Sequence, residues 1–250
     1  MLEAIFARLQ AQNPHRRLVV GDPGPGWLDW DAIVHEPAIL EEWYATLRDG
    51  PAGGQEDVAG SFLALAVTGA VVDVSARVML GERRRFPLDA AGVAVHRDGS
   101  GWCDGLAVRS PDVVAPPGPG ALAADLAALL EPAFVAIRAL APYGRSGMWG
   151  GVADHVGLVA TGIMRDGGAE TAWDDAEAFL DALAAHVPAL RARPRLFPAG
   201  DPTRPFSIRG TCCLLYKTSG DADRDTGAGY CATCPLLDTD IHRRLLAAWR

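Results

Sequence analysis

Four of the five cysteines, Cys212, Cys213, Cys231 and Cys234, fall within 23 of the chain's 250 residues. If these thiols serve one centre, the 17 residues between the two pairs must fold back. That segment, Leu214 to Tyr230, holds Gly220, Gly227 and Gly229 with Asp221, Asp223 and Asp225, the composition of a flexible polar loop. Adjacent residues on a regular strand point to opposite faces, so Cys212 and Cys213 can share a centre only where a strand ends or its backbone distorts.

Three chemistries compete for the four thiols. A structural zinc site takes four thiolates in a tetrahedron and is usually built from two Cys-x-x-Cys knuckles, of which only Cys231 to Cys234 is one. A dithiol redox site uses a single Cys-x-x-Cys and leaves Cys212 and Cys213 unexplained. A 2Fe–2S cluster takes four thiolates and tolerates varied spacing. Packing as plain apolar residues suits Cys103, beside Trp102 in an expected hairpin, but not four thiols crowded into so short a stretch. On the chemistry alone, zinc and iron–sulfur stay level.

Composition narrows the setting. Hydrophobic residues are 49% and charged residues 22% of the chain, with mean hydropathy +0.09, which implies a folded protein with a sizeable core. Thirty-one acidic against 23 basic residues give a net charge of −8, the wrong sign for a nucleic-acid partner. Leu2, Ile5, Phe6 and Leu9 at helical spacing, with Glu3 before any basic residue, predict an amphipathic helix rather than an export signal. The longest uncharged run, Val58 to Val72, is too short for a hydrocarbon core of roughly 30 Å and reads as a buried helix. The expected compartment is therefore the reducing cytoplasm, where clustered cysteines are metal or redox groups.

Periodicity predicts helices over Pro37–Arg48, from Glu56 to about Leu80, over Leu122–Leu140 with Pro132 inside, and over Trp149–Met164. A further helix is expected after an Asp174 cap, with Phe179, Leu183, Val187 and Leu190 on one stripe, and another from Thr239 to Trp249. Phe86–Leu88, Val93–Val95 and Leu106–Val108 predict a small antiparallel sheet with turns at Asp98–Gly101 and Asp104-Gly105. Ile208, Leu214, Leu215 and Tyr216 predict an extended segment around the first cysteine pair. The Pro/Gly-rich stretch from Ser110 to Gly120 reads as a linker, dividing an α+β lobe (1–115) from a helical lobe (116–250) with its cysteine segment at 205–236. The expected class is α+β and mostly helical.

The run Arg209-Gly210-Thr211-Cys212-Cys213-Leu214-Leu215-Tyr216-Lys217, followed by Gly229-Tyr230-Cys231-Ala232-Thr233-Cys234-Pro235-Leu236, resembles the C-terminal signature of FhuF-type ferric siderophore reductases. Met148-Trp149-Gly150-Gly151-Val152 resembles, more weakly, a Trp-Gly-Asn segment of that family. The resemblance implies that Cys212, Cys213, Cys231 and Cys234 ligate a 2Fe–2S cluster, which passes one electron to a docked ferric siderophore so that ferrous iron is released in the cytosol. It departs from the family at two points. The interval between the cysteine pairs is 17 residues instead of about ten, a lengthening that costs only about 0.5 kcal/mol in loop closure. Gly151 stands in place of the Asn, so no role carries over to it.

One-electron chemistry requires no acid, base or nucleophile, and no triad is evident. Neither a Gly-x-Gly-x-x-Gly nor a Walker sequence is present, so the electron donor is expected to be external. Peripheral contact with a membrane transporter is compatible with this role. Arg209 and Lys217 flank the cysteines and are placed to offset negative charge, while Tyr216 and Trp149 are candidates to wall the site. Arg83, Arg84 and Arg85 read as a solvated helix end, and the six histidines form no ligand-spaced pair. The non-enzymatic alternative is a zinc-stabilised binding or scaffold protein using the same four thiolates. A domain related to siderophore biosynthesis enzymes would be a third class, but phosphate-binding signals are lacking.

Overall fold

The N-terminal stripe folds as α1 (Leu2–Gln12), with Leu2, Ile5, Phe6 and Leu9 all buried. The computed structural model describes residues 1–114, 118–201 and 203–248. After α1 come β1 (Arg17–Val20), β2 (Trp27–Asp29), α2 (Trp30–His35), α3 (Pro37–Asp49) and the long α4 (Glu56–Glu82). Then follow β3 (Val93–Arg97), β4 (Cys103–Val108), α5 (Pro119–Leu140), α6 (Arg145–Arg165) and α7 (Ala172–His186). The chain finishes with β5 (Arg195–Phe197), β6 (Phe206–Ile208), a short 3-10 helix (Leu215–Thr218) and α8 (Thr239–Ala247). The class is α+β, helix-dominated, with two small sheets.

α4 is apolar on every side and is packed on every side, as a central helix must be. By length and composition both α4 and α5 would span a bilayer, although the uncharged run within α4 is shorter. The fold buries 78% of the most apolar stretch of α4 and 44% of that of α5, so for α4 the protein interior is the apolar surrounding. A continuous buried core runs from Leu2 to Leu190. It includes the T-shaped pair Phe134 and Trp149 at 4.9 Å, and a hydrogen bond from buried Trp30 Nε1 to Leu129 O at 3.0 Å ties α2 to α5. The expected division near residue 115 falls outside the described residues, as do Pro202 and Trp249.

The larger sheet is mixed, in the order β1-β4-β3-β2. β3 pairs antiparallel with β4, as the two short apolar runs implied, but also with β2, which the sequence reading did not expect, and β1 joins β4 in parallel, Leu18 opposite Leu106. Phe86–Leu88 is not a strand: Phe86 is instead buried edge-on against Phe6 at 5.9 Å. Asp104-Gly105 is not a turn either but lies inside β4. A Cβ at Gly105 would come 2.7 Å from the Trp27 ring and 2.8 Å from His96 Cβ, so this glycine serves close packing across the sheet.

α7 is capped at Thr171, and Asp174 and Asp175 occupy its first turn, where carboxylates favour the positive helix end. Val187 and Leu190 are buried just beyond its C-terminus rather than within it. Arg83 ends α4 in a left-handed conformation (φ 52°) and pairs with Asp175 at 2.6 Å, while Arg85 pairs with Asp125 at 2.5 Å.

Candidate functional site

β6 ends at Ile208, and the backbone beyond it breaks strand geometry at Leu214, whose φ of 65° is left-handed. The extended segment expected through Leu214–Tyr216 is therefore absent, and the chain enters the 3-10 helix at Leu215. This distortion meets the geometric demand posed by two adjacent cysteines. Cys213 is buried at 6% exposure and Cys212 half-buried, yet both interact with the second pair.

The 17-residue segment folds back through turns. Asp223 Oδ1 accepts from the Asp225 N–H at 2.9 Å, and Asp223 N donates to Ala228 O at 3.0 Å. Tyr216 and Tyr230 stack at 5.0 Å and 7°, which closes the loop immediately beside Cys231. Arg209 N donates to Thr233 O at 3.0 Å, so the backbone before one cysteine pair is bonded to the turn that carries the other. Lys217 is anchored from the start of α4: its Nζ pairs with Asp57 and its carbonyl accepts from Gln55 Nε2.

The four thiols influence one another's proton affinity in neighbouring pairs, Cys213 with Cys231, Cys231 with Cys234, and Cys234 with Cys212. Cys212, which accepts from Cys234 and from Leu214 N–H at 3.4 Å, is held below the ordinary thiol range against the opposing effect of burial. Cys213 lies above that range because it donates to Cys231 and is buried, despite the nearby Arg209 charge. Cys234, donating to Cys212, is pushed up to about 11. Accepting from Cys213 favours the Cys231 thiolate, but donation to Cys234 and burial leave Cys231 raised. Backbone amides of Leu215 and Leu236 also face Cys213 and Cys234. Among the described residues, no group of three or more His, Cys, Asp or Glu is arranged so that it could hold a metal ion.

Arg209 and Asp154 organise this corner. Burial works against the Arg209 charge, but Cys213, Asp154 and Cys231 outweigh it and hold the guanidinium above its ordinary value. Asp154, on α6, is 5% exposed and accepts from Arg209 Nε at 3.2 Å, Gly210 N at 2.6 Å and Thr211 N at 3.1 Å. Burial raises its carboxyl, with Arg209 and the two amides opposing. From the other side, buried His242 on α8 is 2.9 Å from Cys234 O through Nε2, and Tyr143 OH donates to Cys212 O at 3.4 Å. Asp154, Tyr143 and His242 escaped the sequence reading; the one available signal was Asp154 as the lone acid in the apolar run Trp149–Met164.

Trp149 turns away from the thiols. Its ring is in the core against Phe134, and its Nε1 donates to Glu131 at 3.1 Å. What the neighbouring Gly150 provides is space: a Cβ there would lie 1.8 Å from Thr211 Oγ1, one residue before Cys212. Gly150→Ala should therefore cost about 1–3 kcal/mol by overpacking, read as a lower thermal midpoint, and adding Thr211→Ala should restore part of the loss. A midpoint equal to that of the unsubstituted protein would show that the contact is slack. Gly151 sits against Leu65, and Cys103 lies apart from the four thiols in β4.

Neither any protein-family model nor any curated protein sequence matches the chain.

Proposed function

We propose that Cys212, Cys213, Cys231 and Cys234 hold a 2Fe–2S cluster and that the protein is a cytoplasmic ferric siderophore reductase. The observation that carries this reading is the convergence of four thiols, three backbone amides and a buried guanidinium on one corner of the fold. Iron–sulfur clusters are ligated by four cysteine thiolates, and hydrogen bonds to sulfur tune their potentials. The chemistry of the donor set suits that group: Cys212, Cys231 and Cys234 pack in one cluster, Cys213 interacts with Cys231, the Leu214 amide donates to Cys212 sulfur, and Arg209 offsets thiolate charge.

Bound there, the cluster would supply one electron to the Fe3+ of a docked siderophore, giving Fe2+, and an external donor would return that electron. The hard oxygen ligands of a siderophore hold Fe2+ far less tightly than Fe3+, so reduction by itself favours release. Cys213 and Cys234 are buried, whereas Cys212 and Cys231 are half-buried beside the stacked tyrosines, and that less buried side is where a substrate can approach closely. Asp154 holds Arg209 and the Gly210 and Thr211 amides, so the approach to Cys212 is set before any ligand binds.

Purification without oxygen, followed by metal and acid-labile sulfide analysis, tests the reading. About two irons and two sulfides per chain with visible charge-transfer absorption are expected. A colourless protein carrying one zinc would overturn it in favour of a structural zinc site in a non-enzymatic protein.

A further inference from the structure

A cavity of about 100 Å³ lies where the end of α4 meets the start of α5 and the first half of α7. Met79, Leu122 and Ala178 supply its apolar wall, and its ionic groups are Arg83, Arg84, Arg85 and Asp175. The sequence suggested a solvated helix end for the three arginines, yet Arg84 and Arg85 are half-buried. Arg83, left-handed at φ 52°, ends α4 and turns the chain, and three successive side chains border one space. The thiol corner is remote from it. Asp57, which anchors Lys217, sits in the first turn of α4 and Met79 in the last, about 30 Å apart at a rise of about 1.5 Å per residue.

Pairing leaves one of these charges over. Arg83 is taken by Asp175 at 2.6 Å, and Arg85 by Asp125 of α5 at 2.5 Å. Among the described residues, the Arg84 guanidinium has no hydrogen-bond or ion-pair partner, and Arg85 Nε is a buried donor without an acceptor. The wall therefore carries three guanidinium groups against one carboxylate. Asp125, paired with Arg85, still leaves a whole positive charge, in a protein whose net charge is −8. Salt screens a half-buried cation less than one in open water, so this surplus acts on an approaching anion. The helix ends do not supply it, because the negative end of α4 and the positive end of α5 both reach this corner and oppose each other.

We propose that this cavity binds a phosphate-sized oxyanion, with Arg84 as the receiving charge and Arg83 and Arg85 flanking it. A water takes up about 30 Å³ of liquid, so the volume is that of a few waters, room for one tetrahedral oxyanion but not for a nucleotide or a metal chelate. Guanidinium forks match phosphate oxygens, and each carries five N–H donors. Three of them around one space offer more donors than the two oxygens of a carboxylate can take, which favours the phosphoryl group. The apolar wall of Met79 and Leu122 can meet an ester carbon, so the ligand class is inorganic phosphate or the phosphate end of a small phosphomonoester. The site is separate from the cysteine corner, and nothing in it rests on the reductase reading.

Titration calorimetry on the full chain at fixed ionic strength tests this with inorganic phosphate, glycerol 3-phosphate and acetate. Phosphate is expected to bind about tenfold or more tightly than acetate. Tighter binding of glycerol 3-phosphate than of phosphate would identify the ligand as a phosphomonoester, and equal or weaker binding as the free ion. Arg84→Gln should weaken phosphate binding about tenfold or more without lowering the thermal midpoint, because its guanidinium has no partner to lose. Ala178→Leu tests the place rather than the charge. Ala178 is exposed on α7 and lines the cavity, and leucine is a good helix former, so the larger side chain should obstruct the space and weaken binding with the fold intact. No binding of phosphate, equal affinity for phosphate and acetate, or wild-type phosphate binding by either folded variant would overturn the proposal. These results are independent of the iron and sulfide content that tests the reductase reading.

Discussion

Asp154→Ala is expected to destabilise the protein by about 3–5 kcal/mol, the cost of leaving a buried charge without its partner. The Asp154 side chain is 4% exposed and Arg209 opposite it 19%, so water cannot replace the lost carboxylate. Two backbone amides, of Gly210 and Thr211, lose their acceptor at the same time. Denaturant unfolding followed by far-UV circular dichroism measures the loss. Asp154→Asn should fall between the two proteins. Its carbonyl oxygen can still accept from one side, while its NH2 would face either the Gly210 donor or the Arg209 and Thr211 donors. If Asp154→Ala unfolded at the wild-type midpoint, the proposed scaffold of the cysteine corner would be wrong.

Cys213→Ser should abolish the iron and sulfide content altogether while leaving the helical signal nearly intact. Serine presents a hydroxyl in place of the thiolate that iron–sulfur ligation requires, and Cys213 is nearly fully buried, so no surface thiol can substitute. The helical fold should survive because the main core from Leu2 to Leu190 has none of the four site cysteines among its residues, whereas Cys234 packs in a small separate cluster with Leu237 and Ile241. Iron, sulfide and visible absorption measured beside circular dichroism separate the two effects. Retention of full iron content with reductase activity would remove Cys213 from the electron path; loss of helix would mean that the thiol is structural.

Periodicity located the long helices because each carries a stripe, or in α4 a full cylinder, of apolar side chains that only burial explains. It failed where partners are remote. β1 is four residues long and is a strand only because β4 lies beside it in parallel, 88 residues further along at Arg17 and Gly105. Gly105 mimics a turn in sequence, yet its missing side chain answers to Trp27 on a non-adjacent strand. Leu214–Tyr216 is apolar enough for a strand, but the demands of two adjacent thiols and the Gln55 and Asp57 anchors impose a tight helical turn.

The sequence by itself determined where the candidate site lies and the class of the fold: four thiols in one short stretch, a polar segment between them, and a helix-dominated α+β chain around them. Tertiary structure alone decided how those thiols are held and what lies beside them. Asp154 is 55 residues from Arg209, and Arg16, Asp73 and His155 come together from the α1–β1 connection, α4 and α6. Local pattern records the periodicity of one element. The pairing of a buried charge with its counter-charge is set by which elements pack together, and that information exists only once the chain has folded.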